Sequence, residues 1–121
     1  EWKGARLNSE IRIPYGDEKH GLFHIIIKRG KHLRDKYNIP DIADWIADTV
    51  SWPTEIRQSS DVGRANLGQQ PRLDRIEMVK RVGRAEHIVV LEPRRDGYWS
   101  VVTAFVDDKP HPNPSGIRIW P

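Results

Sequence analysis

Cysteine is absent from this sequence. Disulfides, thiolate nucleophiles and cysteine-built zinc sites are therefore excluded. Folding then involves no redox step, a property compatible with passage across a membrane. Long hydrophobic runs are absent too. No stretch approaches the ~20 apolar residues that span a bilayer, so no membrane-spanning segment is expected. There is no glycine pattern of the kind that cradles a dinucleotide, no internal repeat and no low-complexity tract. Position 1 is Glu1 rather than methionine. The expectation is a piece of a longer polypeptide or a processed product, for which a missing signal segment carries no information.

What is present bounds the rest. A chain of 121 residues is one domain, large enough for a single core. Five tryptophans argue for a packed interior. The formal net charge is +3, but the excess is local. Between Lys19 and Lys36, six cations (Lys19, Lys28, Arg29, Lys31, Arg34, Lys36) against the single anion Asp35 leave +5. Such a cluster suits a phosphate-bearing partner, and it equally fits a solvated helix face.

Along the chain, Ser9 to Ile13 alternates and reads as a short strand, ended by the turn residues Pro14-Tyr15-Gly16-Asp17. A helix is expected from about Glu18 or Lys19 to Lys36, with Gly30 weakening it by ~1 kcal/mol relative to alanine. A second helix is expected from Pro40 to about Val50. Pro40 fits its first position, Ile42, Ile46 and Val50 make its apolar stripe, and Trp52-Pro53 stops it. Its aspartates Asp41, Asp44 and Asp48 read as surface charge, since no histidine accompanies them as a metal ligand. Thr54 to Gln58 begins a sheet, and Ser59 to Pro71 has the composition of a loop. Three strand-like runs follow: Asp74 to Val82, His87 to Glu92 and Tyr98 to Val106. In the last, strict alternation puts Trp99, Val101, Thr103 and Phe105 on one side. The links between the runs have hairpin length and contain glycine, which favours a meander. From Asp107 onward the tail holds one apolar patch, Ile117 to Trp120. The expected class is α+β, with N-terminal helices packed on one face of an antiparallel sheet of three to five strands.

Chemistry concentrates between His20 and His32, which hold three of the five histidines. At helical spacing His20, His24 and Lys28 share one face, continued by Lys31 and Asp35. Leu22, Ile26 and Leu33, with Phe23 and Ile27 beside them, make an apolar side. Histidines among cations, without a metal cluster, are what metal-free RNA cleavage needs. A base takes the proton from the ribose 2′-OH, the oxygen attacks phosphorus, and an acid protonates the leaving 5′ oxygen. Cations stabilise the charge gathering on the phosphoryl oxygens. Imidazole serves both proton transfers because its unperturbed pKa of ~6.5 lies near working pH. His24 reads equally as a half-buried helix histidine, and His20 as a capping or surface group. His32 is expected to point away from His24. His87 and His111 read as strand-edge and tail residues. His20 and His24 have the i, i+4 spacing of a zinc pair but lack an intervening glutamate and a third ligand.

The run HGLFHIIIKRGKHL, a helix closing in WPTEIRQ, the strands RIEMVKR and HIVVLEP, and then GYWSVVTAF resemble the barnase–EndoU–colicin–RelE (BECR) group of ribonucleases. The likeness is closer to the EndoU/colicin D-like toxin domains of bacterial polymorphic and contact-dependent growth inhibition toxins, and to related phage nuclease domains. It covers roughly residues 18 to 107. It implies a metal-independent endoribonuclease, often a tRNase, that leaves a 2′,3′-cyclic phosphate and uses no cofactor. His24 would then be the helical catalytic histidine, with Lys28 or Arg29 as the nearby cation. Thr103 would be the hydroxyl on the last strand that touches the scissile phosphate. His20 or His32 would supply the second imidazole. Arg29, Lys31, Lys80 and Trp99 would bind substrate. The resemblance further implies that residues 1–121 are the C-terminal toxin part of a larger secreted protein, acting in a target-cell cytoplasm and restrained by a cognate immunity protein.

A non-catalytic RNA- or phosphate-binding module would use the same cations, with Tyr98 and Trp99 as base-stacking surfaces. ADP-ribose transfer lacks both its glycine pattern and a catalytic glutamate in context. A purely structural interaction domain has no distinguishing mark in the composition.

Overall fold

The computed structural model describes residues 6, 8–58, 75–109 and 118–120. In chain order these form β1 (Ile11–Arg12), α1 (Leu22–Tyr37), α2 (Ile42–Ser51), β2 (Glu55–Gln58), β3 (Ile76–Val82), β4 (Ala85–Pro93), β5 (Trp99–Asp107) and β6 (Arg118–Trp120). The expected loop Ser59 to Pro71, and His111, lie outside the described residues. One sheet takes all six strands in the order β1-β5-β4-β3-β2-β6. From β3 to β5 it is the antiparallel meander that short links favour, and β2 joins β3 antiparallel as well. The edges differ from expectation. β1 joins β5 in parallel, with Ile11 opposite Trp99, and β6 joins β2 antiparallel. The sheet is therefore mixed and six strands wide. β1 falls within the strand expected over Ser9 to Ile13, but alternation does not tell which strand it joins, and β6 is too short for periodicity to reveal it.

The class is α+β, with both helices on one sheet face. Ile25, Leu33, Ile42, Trp45 and Ile46 from the helices pack with Ile56, Ile76, Met78, Val89, Leu91, Trp99, Val101 and Ala104 from the strands. α1 buries Ile25 and Leu33, while Ile26 and Ile27 are exposed. The apolar side expected through Ile26 is thus rotated toward Ile25. On α2, Asp41 is the N-cap, its carboxylate accepting from the Asp44 N–H at 3.0 Å, so Pro40 precedes the helix instead of opening it.

α1 begins at Leu22, later than the expected Glu18 or Lys19. Gly21 explains the delay. Its φ of +89° is closed to ordinary side chains, and an added Cβ would lie 2.9 Å from Gly16 Cα and from the Pro14 carbonyl oxygen. The chain from Pro14 to Gly21 folds back on itself here. Pro14 and Tyr15 carbonyls accept from the Leu22 and Phe23 N–H groups at 2.9 and 2.7 Å. Those two helix-start donors are thereby satisfied by backbone rather than left for an anion.

α1 lies along β5 and is fastened to it at three points. Gly21 N–H donates to the Val102 carbonyl at 2.9 Å, Arg29 Nε to the Ala104 carbonyl at 3.1 Å, and Lys36 Nζ and Tyr37 Oη to Asp108 at 2.7 and 3.0 Å. The lengths agree: fifteen helical steps and six strand steps each span roughly 20 Å.

A register shift between Val90 and Leu91 leaves Val102 as the extra residue of β5. Strict alternation puts Thr103 with Trp99 and Val101. The bulge breaks that rule. Trp99, Val101 and Ala104 belong to the helix-side core, whereas Val102 belongs to a second cluster with Val79, Ile88, Val90 and the partly buried Phe105. Thr103 is paired with Val90, so it shares this opposite face with Phe105.

Candidate functional site

His24 sits in the first turn of α1, and its Nδ1 is 2.9 Å from the Glu18 carbonyl oxygen. A carbonyl only accepts, so Nδ1 carries the proton. In the neutral ring Nε2 then keeps its lone pair. The loop that caps the helix thus also fixes the tautomer that a general base needs. Lys28 follows one turn later and is exposed. His20 is not on the helix, contrary to the expected shared face. It stands in the preceding loop, with Nδ1 3.2 Å from Asp17 Oδ1. Asp17 accepts from the Lys19 N–H and also from the His20 N–H; these bonds, the first above all, hold its carboxyl below the usual range.

Arg29 occupies the border between the two sheet faces. Its Nε is spent on the Ala104 carbonyl, and its guanidinium carbon lies 5.5 Å from the Phe105 ring centroid. Burial lowers its pKa, but a guanidinium is basic enough to stay charged at any working pH. Thr103, between Val102 and Ala104, has a buried hydroxyl oxygen with no hydrogen-bond partner among the described residues. The structure therefore brings Arg29 and Thr103 to the same short segment of β5. It does not join Thr103 to His24 by a hydrogen bond, and the bulge turns Thr103 to the face opposite the helices.

Other expected contacts are placed elsewhere. Lys31 lines a groove between α1 and α2. Lys80 projects to the helix side of β3 and pairs with Asp48 of α2, so it is already engaged. Trp99 is fully buried and donates its indole N–H to the Arg6 carbonyl at 2.7 Å. No ring face remains for a base to stack on, which corrects its assignment to substrate binding. His32 is exposed and meets Tyr37 edge to face at 5.4 Å. His87 is no strand-edge residue. It lies inside β4, paired with Lys80 and Val106, and its Nδ1 accepts from the Trp45 indole at 2.9 Å.

Sequence reasoning missed a charged network on the sheet face away from the helices. Arg57 donates to Glu77 at 2.8 Å, to Glu55 at 3.0 Å and to Glu86 at 3.0 Å. Arg81 adds a bond to Glu55 at 3.1 Å. The Arg57, Glu55 and Glu86 side chains are 7% exposed or less, so this is an interior network and not a solvated face. Burial opposes the charge on Arg57, but its bonds to Glu77 and Glu86 prevail and raise its pKa. A signal was present in Glu55-Ile56-Arg57 and in Glu77 to Arg81, where charge recurs at even spacing on strands.

Among the described residues no group of three or more His, Asp or Glu is arranged to hold a metal ion. None of their helices is long and apolar enough to cross a membrane. Compared with protein-family models, with curated proteins and with solved structures, the chain matches none. The ribonuclease likeness is accordingly carried by the sequence runs alone.

Proposed function

We propose that the chain is a metal-independent endoribonuclease working at the junction of α1 and β5. His24 Nε2 takes the 2′-OH proton as the 2′ oxygen bonds to phosphorus. The P–O5′ bond breaks, the 5′ oxygen receives a proton from a second group, and a 2′,3′-cyclic phosphate remains. His20 is the candidate acid, its ring oriented by Asp17. Arg29 and Lys28 are the cations for the phosphate, and Thr103, on the opposite sheet face, takes no part. The observation that carries this reading is the Glu18 carbonyl on His24 Nδ1, which leaves Nε2 as the basic nitrogen. In the toxin reading the RNA is a tRNA, the domain acts in a target-cell cytoplasm, and an immunity protein is its second partner.

A second reading, a non-catalytic phosphate-binding module, draws on one specific fact: Thr103 and His24 are not hydrogen-bonded. One experiment separates the two. Total RNA is incubated with the wild-type chain and with His24→Ala, with and without EDTA, and the ends are analysed. The enzyme reading expects EDTA-insensitive cutting, cyclic phosphate ends, and a loss of roughly 10²–10⁴-fold in the variant. Full-rate cutting by His24→Ala overturns His24 as the base. Intact RNA, bound in a steeply salt-dependent way, establishes the binding module instead.

A further inference from the structure

Gly30 is a glycine in the middle of α1 with no packing reason to be one. Among the described residues an added Cβ would meet Ile42 Cδ1 at 3.6 Å and Ile26 Cγ2 at 3.8 Å, both ordinary contacts. Glycine here costs the helix stability that alanine would restore. What the missing side chain does is keep open a groove of about 500 Å³ between α1 and α2. Its walls are Leu22, Ile26, Pro40 and Ile42, and Ile26 is 44% exposed. Lys31 and Arg34 stand along one side. Both are exposed, and Arg34 is paired only with its neighbour Asp35 at 3.4 Å among the described residues. Asp41, the groove's carboxylate, is occupied in capping α2.

We infer that this groove docks an acidic amphipathic helix of a partner protein. Apolar residues at i, i+3 or i+4 of that helix enter over Gly30, and its flanking carboxylates meet Lys31 and Arg34. The sign of the partner follows from Lys31 and Arg34, the exposed cations on the groove's side, against Asp41, whose carboxylate caps α2. Apolar walls and exposed Ile26 offer nothing to a polynucleotide, and a concave cleft fits a side chain better than a lipid surface. The inference stands independently of RNA cleavage, since it uses neither His24 nor β5.

The probe is a synthetic helix with leucine at i, i+4 and i+7 and glutamate between, titrated into the isotope-labelled chain and followed by amide shifts. A scrambled peptide of equal composition and phosphatidylglycerol vesicles are the controls. Shifts should centre on residues 22–34 and 40–43, with at least tenfold weaker binding of the scrambled peptide. Gly30→Leu, which fills the groove, should weaken the probe at least tenfold. Gly30→Ala should weaken it less while raising Tm by about 3–6 °C. Arg34→Glu, exposed and harmless to packing, gives a second reading of at least tenfold loss should Gly30→Leu misfold. The inference is overturned by a probe that binds nowhere, by equal binding of the scrambled peptide, by vesicles shifting the same amides, or by wild-type affinity in Arg34→Glu.

Discussion

Two histidines in this chain are held by opposite ring chemistry. His24 donates from Nδ1 to a carbonyl, whereas His87 accepts at Nδ1 from the Trp45 indole. For His87 a second proton would displace the indole bond. Burial, with Lys80 nearby, lowers its pKa from the ordinary 6.5, against the weaker pull of Asp48. The folded state thus binds fewer protons than the unfolded one. Its contribution to stability is complete above about pH 6.5 and is lost as pH falls through the lower folded value. Thermal melts between pH 5 and 8 should show Tm falling toward acid, and His87→Phe should flatten that dependence. An unchanged slope in the variant assigns the effect to other groups. Position 87 was legible in sequence only as a histidine in an apolar strand. Its partner is 42 residues away, and no local pattern announces such a pair. Trp99 teaches the same lesson with opposite sign, because an aromatic flanked by Tyr98 and Ser100 reads as a stacking surface until the core claims it.

At the scale of elements, what was legible depended on length. α2 and strands β3 to β5 are long enough for their periodicities to show, and their order and pairing follow from short links. β6 is not, and for β1 the strand was legible but not its partner. The bulge in β5 adds no composition signal of its own, yet it decides which face Thr103 occupies and so disassembles the expected His24–Thr103 pair. The start of α1 was readable in principle, since Gly16 and Gly21 flank a turn. Periodicity alone ran the helix through Gly21 and wrongly placed His20 on its face. Gly21→Ala tests the corrected boundary. A side chain there must adopt φ +89° and displace the Pro14 carbonyl and Gly16. We expect a loss of about 2–3 kcal/mol in urea unfolding. A loss under about 0.5 kcal/mol shows that the loop relaxes freely.

Across the whole molecule, the two sheet faces are stabilised by different physics. The helix side is hydrocarbon. The other joins a small apolar cluster to Arg57 and its three glutamates, tying β2, β3 and β4 together. Removing Arg57 takes away the one cation that touches all three carboxylates and leaves Arg81, at the network's rim, to serve Glu55 and Glu86. Arg57→Met should cost about 3–5 kcal/mol, measured by chemical denaturation. A loss below about 1 kcal/mol shows that the glutamates find other partners or water.

β1 pairs with β5 across 88 positions, Ile11 with Trp99, and the first turn of α1 leans on the carbonyl of Val102. On a ribosome these residues emerge before β5 and lack their sheet partner until it follows. The nascent chain must therefore hold β1 and the Pro14–Gly21 loop unfinished while some ninety residues are added, and the domain closes only when translation has passed β5.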